Sequence, residues 1–121
     1  MIVTPIAVGD PPLRNAAGLH APYALRTIVE LISEDGVSGI SEIPGSDKTT
    51  QALRDAATVV VGRDPYALTG LEQALRGRFG EDVDDQRGLQ PWDQRQLVHM
   101  FSALEVACLD MVGRATNRPV V

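Results

Sequence analysis

The chain has 121 residues, 44% of them hydrophobic and 22% charged, a balance that excludes disorder of the whole chain. It fits one domain, which at this size removes about two thirds of its extended-chain surface from water. The formal net charge is −5 and the eleven Lys and Arg residues are scattered, so the clustered basic surface that phosphate backbones require is missing. A single cysteine, Cys108, rules out an intrachain disulfide and a fold held by such staples. The opening MIVTPIAVGD lacks a basic leader, and no apolar run reaches the roughly 18 residues that span a bilayer. The expectation is a soluble, cytoplasmic protein with no nucleic-acid and no membrane partner.

In chain order, Ile2 to Val8 reads as a short strand, placed at a sheet edge because Pro5 has no N–H for a ladder. The polar stretch Arg14 to Pro22, RNAAGLHAP, follows as a loop. Ala24 to Ser33 is apolar and β-branched, Glu34-Asp35-Gly36 offers a tight turn, and Val37 to Ile43 completes a hairpin. A three-stranded antiparallel meander over the first 43 residues results.

The period then changes. Lys48 to Val61 spaces Leu53, Ala56, Ala57 and Val60 as a helix, with Gly62 placed to stop it. Asp64-Pro65 predicts the opening of a second helix, whose stripe is Leu68, Leu71, Leu75 and Phe79 and whose end is weakened by Gly77 and Gly80. The acidic run Gly80 to Gly88 reads as a surface loop, since its carboxylates do not follow calcium-loop spacing. From Trp92 to about Arg114 a helix of about 34 Å is predicted, with Leu97, Phe101, Leu104, Cys108 and Met111 on one face. Val98, Ala103, Val106, Ala107 and Val112 widen its apolar arc, as in a helix touched on more than one side. The fold class is therefore α+β: a meander followed by a helical bundle over residues 1–115, with 116–121 starting a linker to something further.

Few groups carry evident chemistry. His20, held next to Pro22, can donate to a carboxylate or hydroxyl, Asn15 is a neutral donor and acceptor, and Arg14 suits an anion; each equally serves loop organisation. His99 forms no metal-binding pair and reads as a packing or surface residue, and Cys108 as a buried thiol. Trp92 and Tyr23 could wall a pocket or pack in a core. Glu105 and Asp110 sit within the apolar helix and would be costly if buried without an arginine or a backbone amide. Phosphate-binding glycine loops, CxxC pairs and a serine elbow are all missing, so no complete catalytic centre is legible.

Five segments in order, GLHAPYALRTIVEL, GISEIPGSDKTTQAL, VVGRDPYAL, RGLQPWDQR and ALEVACLDMVGRATNRPVV, make the chain resemble the N-terminal capping domain of glucarate dehydratases. These belong to the mandelate racemase-like branch of the enolase superfamily. The resemblance implies a cap over a (β/α) barrel that is absent from this chain and lies in the same protein or a companion chain. It implies that His20 and Asn15 approach a sugar diacid, and that Pro91 stands in a second specificity segment where related proteins commonly carry threonine. The implied reaction is removal of water from an aldarate through an enediolate, with Mg²⁺ and the bases supplied by the barrel and a homo-oligomer as the complete assembly. Two other readings remain at this point: a cap of another acid-sugar dehydratase or epimerase of the same superfamily, and a non-catalytic α+β interaction domain.

Overall fold

A computed structural model describes residues 1–9, 23–84 and 96–120, with residues 81–84 described by backbone alone. Three strands, β1 (Ile2–Gly9), β2 (Tyr23–Ile32) and β3 (Ser38–Pro44), are followed by three helices, α1 (Asp47–Val60), α2 (Leu68–Asp84) and α3 (Gln96–Thr116). The sheet is antiparallel in the order β1-β2-β3, so the Pro5-bearing strand is at an edge as predicted. The fold is α+β, and its described residues contain no barrel.

The β2–β3 turn forms where its glycine places it. Gly36 adopts φ +81, a conformation that side chains disfavour, while Ser33 N–H donates to Val37 O and the Ser33 hydroxyl accepts from Val37 N–H. Strand alternation then sorts the residues. Thr27, Val29 and Leu31 of β2 and Gly39, Ser41 and Ile43 of β3 are buried beneath the helices, whereas Ile32, Ile40 and Glu42 face away.

Helix α1 opens at Ser46, whose side chain accepts from Thr49 N–H at 3.1 Å, and closes before Gly62 at φ +83. It is pinned to the sheet by Leu53 and Ala56 and by a buried hydrogen bond of 3.0 Å between the Thr27 and Thr50 hydroxyls. Helix α3 is the centre of the domain: Met100, Ala103, Leu104 and Ala107 are fully covered, and it packs most extensively on β3.

Two expectations about α2 need correction. Asp64-Pro65 builds a turn rather than the first helical turn: the Asp64 carboxylate accepts from Tyr66 N–H and its carbonyl from Ala67 N–H, and the helix starts only at Leu68. At the other end the helix runs through Gly80 to Asp84 instead of breaking into a loop. Burial of Leu75 and Phe79 anchors those turns, and that outweighs the roughly 1 kcal/mol that an interior glycine costs. Residues 85–88 of the expected acidic loop lie outside the described residues.

A third correction concerns α3, which reaches 21 residues and holds an 18-residue window with a mean hydropathy of 1.2, enough by length and composition alone to cross a membrane. Its position explains that character, because a helix touching the sheet and both other helices carries a wide apolar arc. The helix ends at Thr116 with Asn117 at φ 53, and Arg118 N–H returns to Gly113 O, a C-terminal cap built on asparagine.

Candidate functional site

The residues singled out for substrate contact, Asn15, His20 and Pro91, lie outside the described residues, as do Arg14 and Trp92. What the structure does define is the frame to which their segments are attached. Gly9 faces Tyr23 in the β1–β2 ladder, so residues 10–22 leave and return at one end of the sheet. Pro44, the last residue of β3, pairs with Arg26 toward that end, and α1 begins there at Asp47.

The second segment joins the same end. Ile40, early in β3, donates to Asp110, late in α3, so the helix runs antiparallel to the strand and its start at Gln96 points back along β3. Phe79 of α2 and Gln96 and Met100 of α3 line one cavity of about 360 Å³ with Lys48 and Gln51 of α1. The far end of α2 and the beginnings of α1 and α3 therefore meet, and residues 85–95 are anchored beside the anchors of residues 10–22. Sequence reading grouped the two segments only through the resemblance; the structure describes the residues that flank them, not the segments themselves.

The larger cavity, about 420 Å³, is at the opposite end, between the β2–β3 turn and the end of α1, with Leu31, Val60, Leu71, Cys108 and Met111 among its walls. It is mainly apolar, with Glu34, Arg63 and Asp64 as its charged walls. Burial pushes the Cys108 thiol up from its ordinary pKa, and the nearby Glu105 carboxylate adds to this, so Cys108 is a packed thiol rather than a nucleophile. Tyr23 is exposed at the end that carries the anchors, and His99 is half-buried on α3.

Among the described residues no group of three or more His, Cys, Asp or Glu side chains is placed to hold a metal ion. The chemistry of Mg²⁺ therefore has no donor set in this frame. The one polar constellation sequence reading had half-anticipated is structural. Asp110 accepts from Ile40 N–H at 2.9 Å and pairs with Arg114 at 3.1 Å, and together these hold its carboxyl below the usual carboxylate range.

The described residues form a three-stranded antiparallel meander backed by three helices, an α+β architecture of the capping-domain kind. No protein-family model matches the chain. It is 43% identical to the probable glucarate dehydratase of Streptomyces coelicolor over 98% of this chain and 29% of that protein. An enolase from Pseudomonas fluorescens, crystallised with magnesium, potassium and tartrate, superimposes with a TM-score of 0.84 at 31% identity, covering 98% of this chain and 29% of that one. An enolase from Thermobispora bispora, complexed with magnesium and formate, gives 0.82 at 37% identity with the same coverage. The chain has the fold of an enolase-superfamily N-terminal capping domain and is similar in sequence to a protein of the glucarate dehydratase kind. It spans 29% of the length of these relatives.

Proposed function

We propose that the chain is the substrate-capping portion of a Mg²⁺-dependent sugar-acid dehydratase, glucarate dehydratase-like, that removes water from an aldarate through an enediolate. The observation that carries this reading is the 43% identity to a probable glucarate dehydratase across 98% of the chain. In it, residues 116–121 lead toward a barrel in the same protein or a companion chain, and that barrel supplies the metal carboxylates and the bases. The magnesium present in two related structures supports the choice of ion. This chain's contribution is to bind and orient: His20 and Asn15 donate to the diacid, and closing the pocket excludes water and strengthens those contacts. A cytoplasmic enzyme fits this role.

Pro91 bears on substrate choice. It offers no hydroxyl, so a substrate group that a threonine would bind finds no partner there. The test uses the complete enzyme with a panel of aldarates. His20→Ala is expected to raise KM or reshuffle the order of kcat/KM among the sugars, by about tenfold or more if a charged hydrogen bond is lost. Unchanged values for every sugar would remove His20 from the site. A Pro91→Thr variant that leaves the order of preference intact would remove Pro91.

A further inference from the structure

Residues 10–22 rejoin the sheet at Tyr23, and the residues that follow it in β2 hold the entry to α1 at three successive points. Gly45 N–H donates to Leu25 O at 2.9 Å. A Cβ on Gly45 would stand 2.7 Å from Arg26 C and 2.9 Å from its N and O, so the chain entering α1 lies directly on the β2 backbone. The third point is the hydrogen bond between the Thr27 and Thr50 hydroxyls, with Thr27 fully covered and Thr50 4% exposed. Thr50 N–H also donates to Ser46 O at 2.9 Å, which closes the first turn of the helix.

Stability alone gives this hydroxyl pair little reason to exist. Replacing both partners of a buried hydrogen bond by apolar groups of the same shape can be nearly neutral. The surroundings are apolar, since Val29 follows Thr27 on one face of β2, Leu53 follows Thr50 on one face of α1, and both are fully buried. What a hydrogen bond adds is direction: it holds one turn of helix at a set distance and angle to one strand. The same end of α1 carries Lys48 and Gln51, which line a cavity with Phe79, Gln96 and Met100. Residues 85–95 lead into Gln96. The threonine pair therefore stands between the anchor of one segment and the anchor of the other.

We propose that Thr27 and Thr50 are positioning residues, whose hydrogen bond sets the anchor of residues 10–22 against the anchor of residues 85–95 and thereby tunes substrate binding in the complete enzyme. The inference rests on the proposed contact of those segments with an aldarate. Neither hydroxyl meets substrate, because each is buried against the other. The effect is geometric: a misplacement of about 1 Å far from the chemistry can cost up to about a hundredfold in rate.

Kinetics of the complete enzyme on a panel of aldarates test this, with melting temperature measured on the same samples. T27V/T50V keeps the shape and removes the bond, so it is expected to melt close to wild type and to lose about tenfold or more in kcat/KM, carried mainly by KM. T27S/T50S keeps the bond and gives up two buried methyl groups, so it melts lower and holds the wild-type kcat/KM. A pair that only stabilises the fold gives the opposite ranking, with kcat/KM following melting temperature. That ranking, or wild-type kinetics in T27V/T50V, overturns the proposal. Should the valine pair fail to fold, the serine pair decides: wild-type kcat/KM despite a lower melting temperature supports positioning, and a loss in step with melting overturns it. A change in His20→Ala with none in T27V/T50V strikes this inference alone, whereas no change in either His20→Ala or Pro91→Thr strikes the reading beneath it.

Discussion

Asp110 shows how much of a residue's role can be read before its neighbours are known. Its place inside an apolar helix demands an arginine or a backbone amide, and the structure supplies both, Arg114 one turn on and the Ile40 N–H. The identity of Ile40 was not legible, because it depends on the edge strand β3 lying along α3. The contact also occupies an amide on an edge strand, where an unpaired donor invites another chain. Because the folded-state pKa of Asp110 is depressed, the stabilisation is present above the unfolded value and lost as pH falls through the folded one. Asp110→Ala is expected to cost about 1 kcal/mol at neutral pH. In urea titrations the gap from wild type should narrow below about pH 4; a gap independent of pH would assign the loss to packing alone.

At the scale of elements, the pattern that predicts a strand or helix is local, whereas the terms that set its ends often are not. The meander and the apolar stripes of α1 and α3 were legible from alternation and helical spacing. The ends of α2 were misread, since Asp64-Pro65 matches both a helix opening and the turn it forms, and burial of Phe79 carries the helix past Gly80. Gly39 is a sharper case. Read from sequence it is only a glycine in a hairpin strand, yet a Cβ there would fall on the Ala107 carbonyl and 2.5 Å from Met111 N, both backbone atoms of α3. Neither can move like a side-chain tip, so Gly39→Ala must push β3 and α3 apart. The expected cost is at the upper end of the roughly 1–3 kcal/mol of overpacking, or more. Thermal unfolding measures it, and a variant that melts with wild type would show that the strand–helix seam has slack.

For the whole molecule, the class of fold and its likeness to a capping domain were legible because five segments keep their order along nearly the whole chain, while the candidate site stays an expectation, since Asn15, His20 and Pro91 lie outside the described residues. Stability is also unevenly distributed, in a way no sequence window shows. β1 is an edge strand with most residues exposed, whereas Val29 of β2 and Leu104 and Ala107 of α3 are fully buried. Opening β1 forfeits one ladder and little apolar burial, but separating β2 from α3 dismantles the core. Amide exchange should therefore proceed through local opening for β1 and through global unfolding for β2 residues facing β3 and for the middle of α3. Rates should differ by at least about a hundredfold, within the span between fraying and the 5–15 kcal/mol of a typical domain. Exchange of β1 as slow as α3 at every dilution would mean that the edge is held by contacts within the single chain, and the contrast between edge and core would fail with it.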